Sequence, residues 1–338
     1  MKILVTGGAG YVGSVLIPEL IKDGHFVYCL DRFFFGKEFL SVKEFYGSLE
    51  LIRDDIRWFE SKILKGVDVV MDLAALSNDP VGELDPEKTF EINHIGRSRV
   101  AKLSKDSCVP QYILASSASI YGQQKSIATE ESLVSPLTAY SKANRKAEID
   151  VLPLADDNFT VTVLRFSSIY GMSPRMRFDL AVNSMVLDFF KNNKITIFGG
   201  NNKRPFVHIK DAVNAYKSLL TASASKINKQ IFNVGSNDQN YVISDLAHEV
   251  GSALDPNCVL EISNTPDERS YFASFDKINK ILNFQVQHNI KDSSKEMLES
   301  LRHNKLDYGD KTITLKWYNH IKNNKELLAE HSINKKFL

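Results

Sequence analysis

The sequence predicts an α/β protein in which a parallel sheet is covered by helices on both faces. Through the first half of the chain, short and almost continuously apolar runs alternate with longer segments of helical spacing. A glycine-rich segment follows the first apolar run, and an acidic residue closes the second. Strands that are apolar at nearly every position are typical of parallel sheets buried on both sides. We therefore predict a doubly wound sheet with strands joined by crossover helices.

The predicted elements follow a regular strand–helix order. Residues 2–6 form the first strand, and 11–23 form a helix with Val12, Val15, Leu16 and Leu20 at helical spacing. Further strands are predicted at 26–30, 49–52, 67–73, 112–115 and 160–166, with helices notably at 86–106 and 139–154. From about Met172 the strands become shorter and turn-rich, which indicates a smaller mixed lobe. After about Asp310, apolar and lysine-rich segments predict a helix with a frayed end.

This order predicts two domains, 1–171 with the parallel sheet and 172–338 as a smaller lobe with a C-terminal helix. Residues of about 205–232 are expected to rejoin the first domain. The chain has 42 Lys and Arg against 41 Asp and Glu, a net charge of +1, which argues against nucleic-acid binding through a basic field. No apolar run reaches the ~20 residues of a membrane helix, and no signal peptide is predicted. Three dispersed cysteines predict no metal site and a cytoplasmic location.

The segment between the first strand and the first helix carries the clearest functional signal. Its glycines are spaced three apart, at Gly7, Gly10 and Gly13, around Tyr11 and Val12. Glycines at such a turn let the backbone approach a pyrophosphate, which then lies at the positive end of the helix. Asp31 closes the next strand and can bind both ribose hydroxyls, which favours NAD over NADP. The neighbouring Arg32 leaves some room for NADP.

Five further segments follow in a recognisable order. They are 54–57 (Asp-Asp-Ile-Arg), 73–75 (Leu-Ala-Ala), 93–96 (Asn-His-Ile-Gly), 116–122 with Tyr140 beyond it, and 204–211 (Arg-Pro-Phe-Val-His-Ile-Lys-Asp). Together with the glycine loop they resemble the extended short-chain dehydrogenase/reductase family. More closely, they are similar to its NAD-dependent nucleotide-sugar epimerase, dehydratase and 4-ketoreductase branch. The resemblance runs from residue 1 to about 285 and implies a Rossmann-like doubly wound parallel sheet with a smaller mixed α/β C-terminal substrate lobe.

The resemblance implies the residues that bind the cofactor NAD and those that carry the chemistry. The cofactor set comprises Gly7, Gly10, Tyr11, Val12, Gly13, Asp31, Arg32, Asp55, Ile56, Leu73, Ala74, Ala75, Asn93, Ala115, Tyr140 and Asn144. Tyr140 is the implied base in its phenolate form, and Ser117 is implied to hydrogen-bond the sugar oxygen. Because a free phenol has a pKa of about 10, nearby positive charge must lower it.

One position departs from the family pattern. Four residues after the tyrosine, where the family has a lysine, this chain has Asn144. Lys142 and Lys146 lie off the helix face of Tyr140 and do not replace it. Asn144 can bind the nicotinamide ribose but carries no charge. Three interpretations stay open: an enzyme with a relocated cation, a slow or specialised enzyme, and a binding protein without catalysis.

The residues after Ser117 bear on the reaction. The related dehydratases have Asp and Glu at the next two positions, where this chain has Ala118 and Ser119, which disfavours dehydration. What survives is oxidation and reduction at one sugar carbon, most simply C4. We expect a nucleotide-sugar 4-epimerase, with a 4-dehydrogenase or 4-ketoreductase as the alternative enzyme and a non-catalytic NAD or nucleotide-sugar binding protein as the alternative class.

The expected partner is a nucleotide-diphosphate sugar. Arg204 and Arg269 are the candidates for its diphosphate, because the planar guanidinium fork suits phosphate oxygens. The full substrate set comprises Ser117, Ser119, Ser168, Arg175, Arg177, Asn183, Arg204 and Arg269. The resemblance further implies a homodimer formed through the helices near 94–106 and 139–152.

Overall fold

The computed structural model describes residues 1–41, 43–263 and 269–338. The strands are β1 Lys2–Thr6, β2 Phe26–Asp31, β3 Leu49–Arg53, β4 Val69–Asp72, β5 Gln111–Ser117, β6 Thr160–Phe166, β7 Ser168–Tyr170, β8 Lys194–Phe198, β9 Lys203–His208, β10 Gln230–Val234, β11 Asn240–Val242 and β12 Val259–Ser263. The helices are α1 Gly13–Lys22, α2 Asp79–Gly82, α3 Pro86–Phe90, α4 Arg97–Asp106, α5 Ala139–Val151, α6 Ala181–Asn192, α7 Ile209–Thr221, α8 Ala224–Ile227, α9 Ile243–Leu254, α10 Asp276–Leu282, α11 Ile290–Arg302, α12 Thr314–Asn323 and α13 Lys325–His331.

The largest sheet within these ranges has seven strands in the order β3-β2-β1-β4-β5-β6-β10, and every neighbouring pair is parallel. The predicted doubly wound α/β fold is therefore confirmed. The strand order changes direction between β1 and β4, and ligands of such sheets bind at the carboxyl ends of the strands beside this point. The division of the chain at residue 172 stays a prediction.

Alternate residues of β1 enter two different cores. Ile3 and Val5 belong to a cluster that includes residues of α1 and α7, whereas Leu4 belongs to a cluster with residues of α4 and α5. The strand thus buries side chains on both faces, which explains why its sequence is apolar without alternation.

The segment 86–106 was predicted as one helix, and the structure inserts a wider turn into it. The chain is α-helical over α3, π-helical over Glu91–Gly96 and α-helical again in α4. Wide turns of this kind are frequent at functional sites. Asn93 anchors this one, since its amide group exchanges hydrogen bonds with the backbone N–H and C=O of Leu76 at 2.8 and 2.9 Å.

A second core lies in the later part of the chain. It is formed mainly by α6, α9 and α11 packed against β8 and β9, with Val186, Ile195, Leu246 and Met297 buried in it. Two small sheets, β11-β9-β7 and β12-β8, border this core. The predicted change to shorter strands in a mixed lobe is borne out by this arrangement.

The last described segment, residues 314–338, returns to the first sheet, and we call it the strap. Trp317, Tyr318 and Ile321 are buried in a cluster with residues such as Phe34 and Val81 near the ends of β2 and β4. The Nε1 of Trp317 donates a hydrogen bond of 2.6 Å to the carbonyl of Phe34. Helices α12 and α13 occur where a C-terminal helix was predicted, and the apolar face of α12 has a partner on the first domain. Fraying of the end stays a prediction. None of the helices in the described ranges has the length and apolarity to cross a bilayer.

Candidate active site

A cavity of about 680 Å³ opens along the carboxyl edge of the main sheet. Its wall contains most of the predicted site residues, namely Gly7, Gly10, Tyr11, Val12, Gly13, Asp31, Arg32, Asp55, Ile56, Leu73, Ala74, Ala75, Ala115, Ser117, Ser119, Tyr140, Ser168, Arg175, Arg177, Arg204 and Arg269. The side chains of Asn93, Asn144 and Asn183 are buried behind this wall, where each holds another part of the site. Direct contacts of these three side chains with cofactor or substrate stay a prediction.

The glycine loop is shaped so that side chains at its glycines would collide with backbone. Gly7 has φ +66°, and a Cβ there would lie 2.7 Å from the Cα of Ala74. A Cβ at Gly13 would lie 2.4 Å from the carbonyl oxygen of Gly8. The loop therefore brings bare backbone to the start of α1 beside the turn after β4. Such a cradle at a helix N-terminus fits a dinucleotide pyrophosphate.

Asp31 marks the adenosine end of the cavity. Its carboxylate accepts hydrogen bonds from the backbone N–H of Ala9 at 3.0 Å and of Phe33 at 2.7 Å. Burial raises the pKa of this carboxyl above its ordinary value, while the two N–H donors oppose that rise. The side chain also lies at the cavity wall, where it fits the role of an acceptor for ribose hydroxyls.

The guanidinium of Arg32 is held by Asp55 and by backbone carbonyls of the strap. Its Nη1 donates to Asp55 at 2.6 Å, and its Nη2 donates to the backbone carbonyls of His331 and Lys336 at 2.9 and 2.8 Å. Asp55 also accepts three hydrogen bonds from Arg57. Arg32 therefore joins the strap to the adenosine end of the cavity, a use that the sequence did not indicate.

Arg175 is a buried cation near the glycine loop. Its guanidinium lies 3.6 Å from the ring centre of Phe35, and its Nη2 donates to Thr314 of the strap at 3.0 Å. Its Nε and Nη1 meet no hydrogen-bond partner among the described residues. Burial, together with the nearby Arg177, lowers the pKa of Arg175 to about 9. The structure places this arginine toward the cofactor end of the cavity rather than among the residues around Tyr140, and it fits an anionic ligand group.

Tyr140 and Ser117 meet where α5 begins and β5 ends. Burial raises the pKa of Tyr140, and Asp79 raises it further, whereas Arg97, a hydrogen bond with Ser117 and Arg177 lower it. The Ser117 hydroxyl also donates to Ser119 at 2.9 Å. The helix start is fixed by a capping box between Thr138 and Ser141. The structure thus brings together the two side chains that the resemblance implies for proton transfer.

Asp79 is a charged neighbour of Tyr140 that the sequence did not single out. It accepts a hydrogen bond of 2.5 Å from Thr138, the N-cap of α5, and forms an ion pair with Arg269. Gly82, one turn further along α2, packs so closely that a Cβ there would lie 2.9 Å from the Cβ of Tyr140. The short helix α2 therefore sets both the charge and the position of the tyrosine.

Asn144 contacts a buried arginine from the neighbouring helix. The Nη1 of Arg97 donates to the Asn144 Oδ1 at 2.8 Å, and the Asn144 Nδ2 donates to the carbonyl of Tyr140 at 3.0 Å. Arg97 lies at the cavity wall although it is 1% exposed. An arginine directly after the Asn-x-x-Gly segment was the signal for this cation, and sequence reasoning missed it.

Arg177 lies at the catalytic part of the cavity and is paired with a carboxylate. Its Nε and Nη2 donate to the two oxygens of Asp179 at 2.9 and 3.0 Å. Asn183 supports this segment from behind, because its side chain bonds the carbonyl of Arg177 at 2.8 Å and the N–H of Gly171 at 2.9 Å. Asn183 therefore positions the arginine rather than lining the cavity.

The two predicted diphosphate arginines, Arg204 and Arg269, lie together at the cavity wall. The Nη1 of Arg204 donates to the backbone carbonyls of Lys203 and Arg269, and its guanidinium lies over the ring of Tyr271. The side chain of Arg269 is engaged by Asp79. Asp267 and Glu268, which belong to the same sequence motif as Arg269, lie outside the described residues.

One group of possible metal ligands occurs in the described ranges, away from the cavity wall. His208, Asp211 and His288 place ligand atoms within 4.8 Å of one another. The oxygens of Asp211 accept hydrogen bonds from the backbone N–H of Gln287, the backbone N–H of His288 and the His288 ring, and the two imidazole rings stack with centroids 4.3 Å apart. Burial lowers the pKa of His208 to about 3. The three side chains are thus joined to one another by a hydrogen bond and by ring stacking.

Comparison with known proteins gives consistent results. The model of the NAD dependent epimerase/dehydratase family matches residues 3–235. The chain is 29% identical over 234 residues to UDP-glucuronic acid decarboxylase 1 of Danio rerio, covering 66% of this chain and 55% of that relative. It is 28% identical over 312 residues to UDP-glucose 4-epimerase of Lactobacillus helveticus, covering 85% and 93%. The chain thus spans little more than half the length of the decarboxylase.

A solved structure shows the same fold. The UDP-glucuronic acid 4-epimerase from Bacillus cereus, in complex with UDP-glucuronic acid and NAD, superposes with a TM-score of 0.80 at 23% identity. The superposition covers 90% of this chain and 100% of that chain. At this identity the likeness supports the fold, and the reaction has to be argued from the site itself.

Proposed function

Because the chain belongs to the NAD dependent epimerase/dehydratase family, we propose that it is an NAD-dependent 4-epimerase acting on a nucleotide-diphosphate sugar. The observation that carries this choice is the strap. Tyr318, Phe337 and Leu338 form part of the cavity wall at the adenosine end, and Arg32 ties the strap to Asp55. An epimerase regenerates its cofactor within each turnover, whereas a dehydrogenase must exchange it. A walled adenosine end supports the first.

We assign the cofactor to the residues whose geometry fits it. The backbone of Gly7, Gly10 and Gly13 would cradle the pyrophosphate, Asp31 would bind the ribose, and Arg175 would offer its two unpartnered N–H groups to the diphosphate. Bound NAD supplies the acceptor, and then the donor, of a hydride at the sugar carbon. Its charge on the nicotinamide also favours the ionised form of a nearby phenol.

Tyr140 and Ser117 carry the proton chemistry of the proposal. The phenolate of Tyr140 would accept the proton of the C4 hydroxyl and return it at the end of the turnover. Ser117 would hydrogen-bond the same oxygen and hold it toward the tyrosine. The keto sugar formed between the two hydride transfers must rotate in the cavity so that its opposite face meets the nicotinamide. A cavity volume of about 680 Å³ supports such a rotation.

Dehydration and decarboxylation are both less well supported. Ala118 and Ser119 carry no carboxyl group for the removal of water. A uronic acid oxidised at C4 has its carboxylate β to a ketone, from which carbon dioxide leaves readily. Here Arg177 and Arg269 lie at the cavity wall but are each paired with a carboxylate, Asp179 and Asp79, so that neither pair carries a net positive charge for such a group. We therefore propose a neutral hexose as substrate.

The experiment uses the purified protein with its bound cofactor. It is incubated with a panel of UDP-, GDP-, CDP- and dTDP-hexoses, and products are separated by chromatography while nicotinamide absorbance is followed. The expected result is interconversion of two C4 epimers without net accumulation of reduced cofactor. Tyr140→Phe should abolish interconversion and keep the cofactor.

Other outcomes assign the alternatives. Stoichiometric reduced cofactor with a released keto sugar would replace the epimerase by a 4-dehydrogenase or 4-ketoreductase. Binding of a nucleotide sugar without any product or spectral change would support the non-catalytic binding protein. Full turnover in Tyr140→Phe would refute the assigned base.

A homodimer and a cytoplasmic location remain predictions from the sequence. Two isoleucines support the dimer, since Ile95 and Ile149 are 58% and 54% exposed on the predicted helical faces. Between them His94 and Asp150 form a surface contact of 2.7 Å. A second copy of the chain that covers these apolar side chains would remove them from water.

A further inference from the structure

We propose that Arg97, held by Asn144, is the relocated cation of this site, so that two residues on neighbouring helices do together what a lysine four residues after the tyrosine would do alone. The inference rests on the proposed function, because it assigns a role within the same site. It also resolves the choice left open by the sequence at Asn144.

Arg97 reaches the site from the first residue of α4. Its Nη1 donates to Asn144 at 2.8 Å, and its Nη2 donates to the backbone carbonyls of Asp72 and Ala115. These carbonyls close β4 and lie near the end of β5, the two strands that flank the nicotinamide side of a doubly wound sheet. The guanidinium is thus fixed at the carboxyl edge of the sheet, at the cavity wall.

Asn144 fits the role of a holder for this cation. It lies one helical turn after Tyr140 and is 1% exposed, so a charged side chain at 144 would point to the same place. Its Oδ1 faces Arg97, and its Nδ2 donates to the carbonyl of Tyr140. An amide oxygen can accept from a guanidinium, whereas a lysine here would place a second positive charge beside Arg97. An arginine at position 97 and an asparagine at position 144 are therefore compatible with each other.

Among the arginines near Tyr140, Arg97 has the longest distance to its nearest carboxylate. Arg177 is bound on both sides of its fork by Asp179, and Arg269 is paired with Asp79. The nearest carboxylate to Arg97 is Asp72, whose oxygen lies 3.8 Å from the Nε. Asp72 itself accepts hydrogen bonds from Thr6 and Tyr112, each at 2.5 Å. The phenols of Tyr216 and Tyr271 complete this surrounding.

The electrostatic order agrees with this placement. Burial is the largest cause that raises the pKa of Tyr140, and Asp79 is the second. Among the effects that lower this pKa, Arg97 is the largest, ahead of the hydrogen bond with Ser117 and the charge of Arg177. Because the phenolate is the form that takes the proton, a cation at this place increases its population at neutral pH.

The π-helical turn before α4 explains how the arginine comes to this position. Asn93 pins the turn to Leu76, and Gly96 packs so closely on Ile56 that a Cβ would lie 3.0 Å from the isoleucine Cδ1. A helix fixed at both places leaves its next residue directed at the sheet edge. Arg97 is accordingly buried although it begins an otherwise polar helix.

The first test measures the ionisation of Tyr140 directly in the NAD-loaded protein. Tyrosine is labelled at the ring ζ-carbon, NMR shifts are followed against pH, and Tyr140→Phe assigns the signal. Arg97→Gln keeps hydrogen-bonding capacity but removes the charge, and its Tyr140 should titrate about 1 to 3 pH units higher. Lys102→Gln, an exposed change on the same helix, is the matched control and should leave the titration unmoved. Equal titration in both variants would overturn the proposal.

The second test exchanges the two positions, and its Asn144→Lys variant still decides the question if Arg97→Gln unfolds. Under the proposal Asn144→Lys alone gives no gain in turnover, since it places two cations together. Arg97→Gln combined with Asn144→Lys should recover at least tenfold over Arg97→Gln, with the pH profile returned toward that of the parent. A tenfold or larger gain from Asn144→Lys alone would mean that Arg97 is structural and the site lacks its cation.

These readouts separate the two levels of the argument. Failure of every sugar nucleotide to react would count against the proposed function, yet the Tyr140 titration would still be measurable in the loaded protein. Unchanged titration with normal epimerase activity would leave the function standing and remove the role of Arg97.

Discussion

Replacement of Trp317 by alanine tests whether the strap retains the cofactor. Trp317 is 8% exposed and packs in the cluster that joins α12 to the first domain. Loss of a buried tryptophan side chain typically costs about 3–5 kcal/mol. If the substitution destabilises the closed state of the strap by this free energy and leaves the open state unchanged, the ratio of open to closed strap rises by about 100- to 4,000-fold, at roughly 1.4 kcal/mol for each factor of ten. Cofactor release should accelerate accordingly, until the strap no longer limits it.

The assay follows loss of NAD from the loaded protein after gel filtration, with circular dichroism to verify the fold. Lys322→Ala, an exposed change on the same helix, is the control and should release cofactor as the parent does. Release at the parental rate from a folded Trp317→Ala protein would refute the reasoning. The strap would then be a structural support that has no part in retention.

Three further predictions concern the same site and the surface. Gly82→Ala should lower kcat about 10- to 100-fold with little effect on NAD binding, because its Cβ displaces Tyr140; Gly200→Ala, where a Cβ meets only ordinary contacts, should leave kcat unchanged. Burial raises the pKa of Tyr140, so turnover at saturating substrate should increase about tenfold with each unit by which the pH is raised toward that pKa. A decrease of turnover as the pH is raised across neutrality would contradict a phenolate base. Ile149→Arg should convert a homodimer into a monomer in light scattering, and an unchanged mass would place any interface elsewhere.

The sequence predicted the parts of the molecule that depend on local pattern. Strands β1 and β6 have the predicted limits, and the other strands of the first half lie within a few residues of theirs. The glycine loop and Asp31 were predicted because tight turns and strand ends have local requirements that only a few residue types meet. These positions form the cofactor end of the cavity.

The parts that depend on long-range partners could not be read in the same way. Trp317 and Ile321 have helical spacing, but nothing in their sequence indicates that Phe34 is their partner. The hydrogen bonds of the Asn93 amide with the backbone of Leu76 are likewise not indicated by the local sequence. Arg97 is a further example, since a buried arginine at the start of a polar helix becomes informative only beside Asn144.

The strap also bears on the order in which the chain folds. Its contact between Trp317 and Phe34 joins positions 283 residues apart, and Arg32 reaches residues 299 and 304 positions later. Contacts of such separation form late, and chains fold from their N-terminal side during synthesis. We therefore expect the strap to close over the glycine loop and Asp31 only after the sheet that carries them has formed.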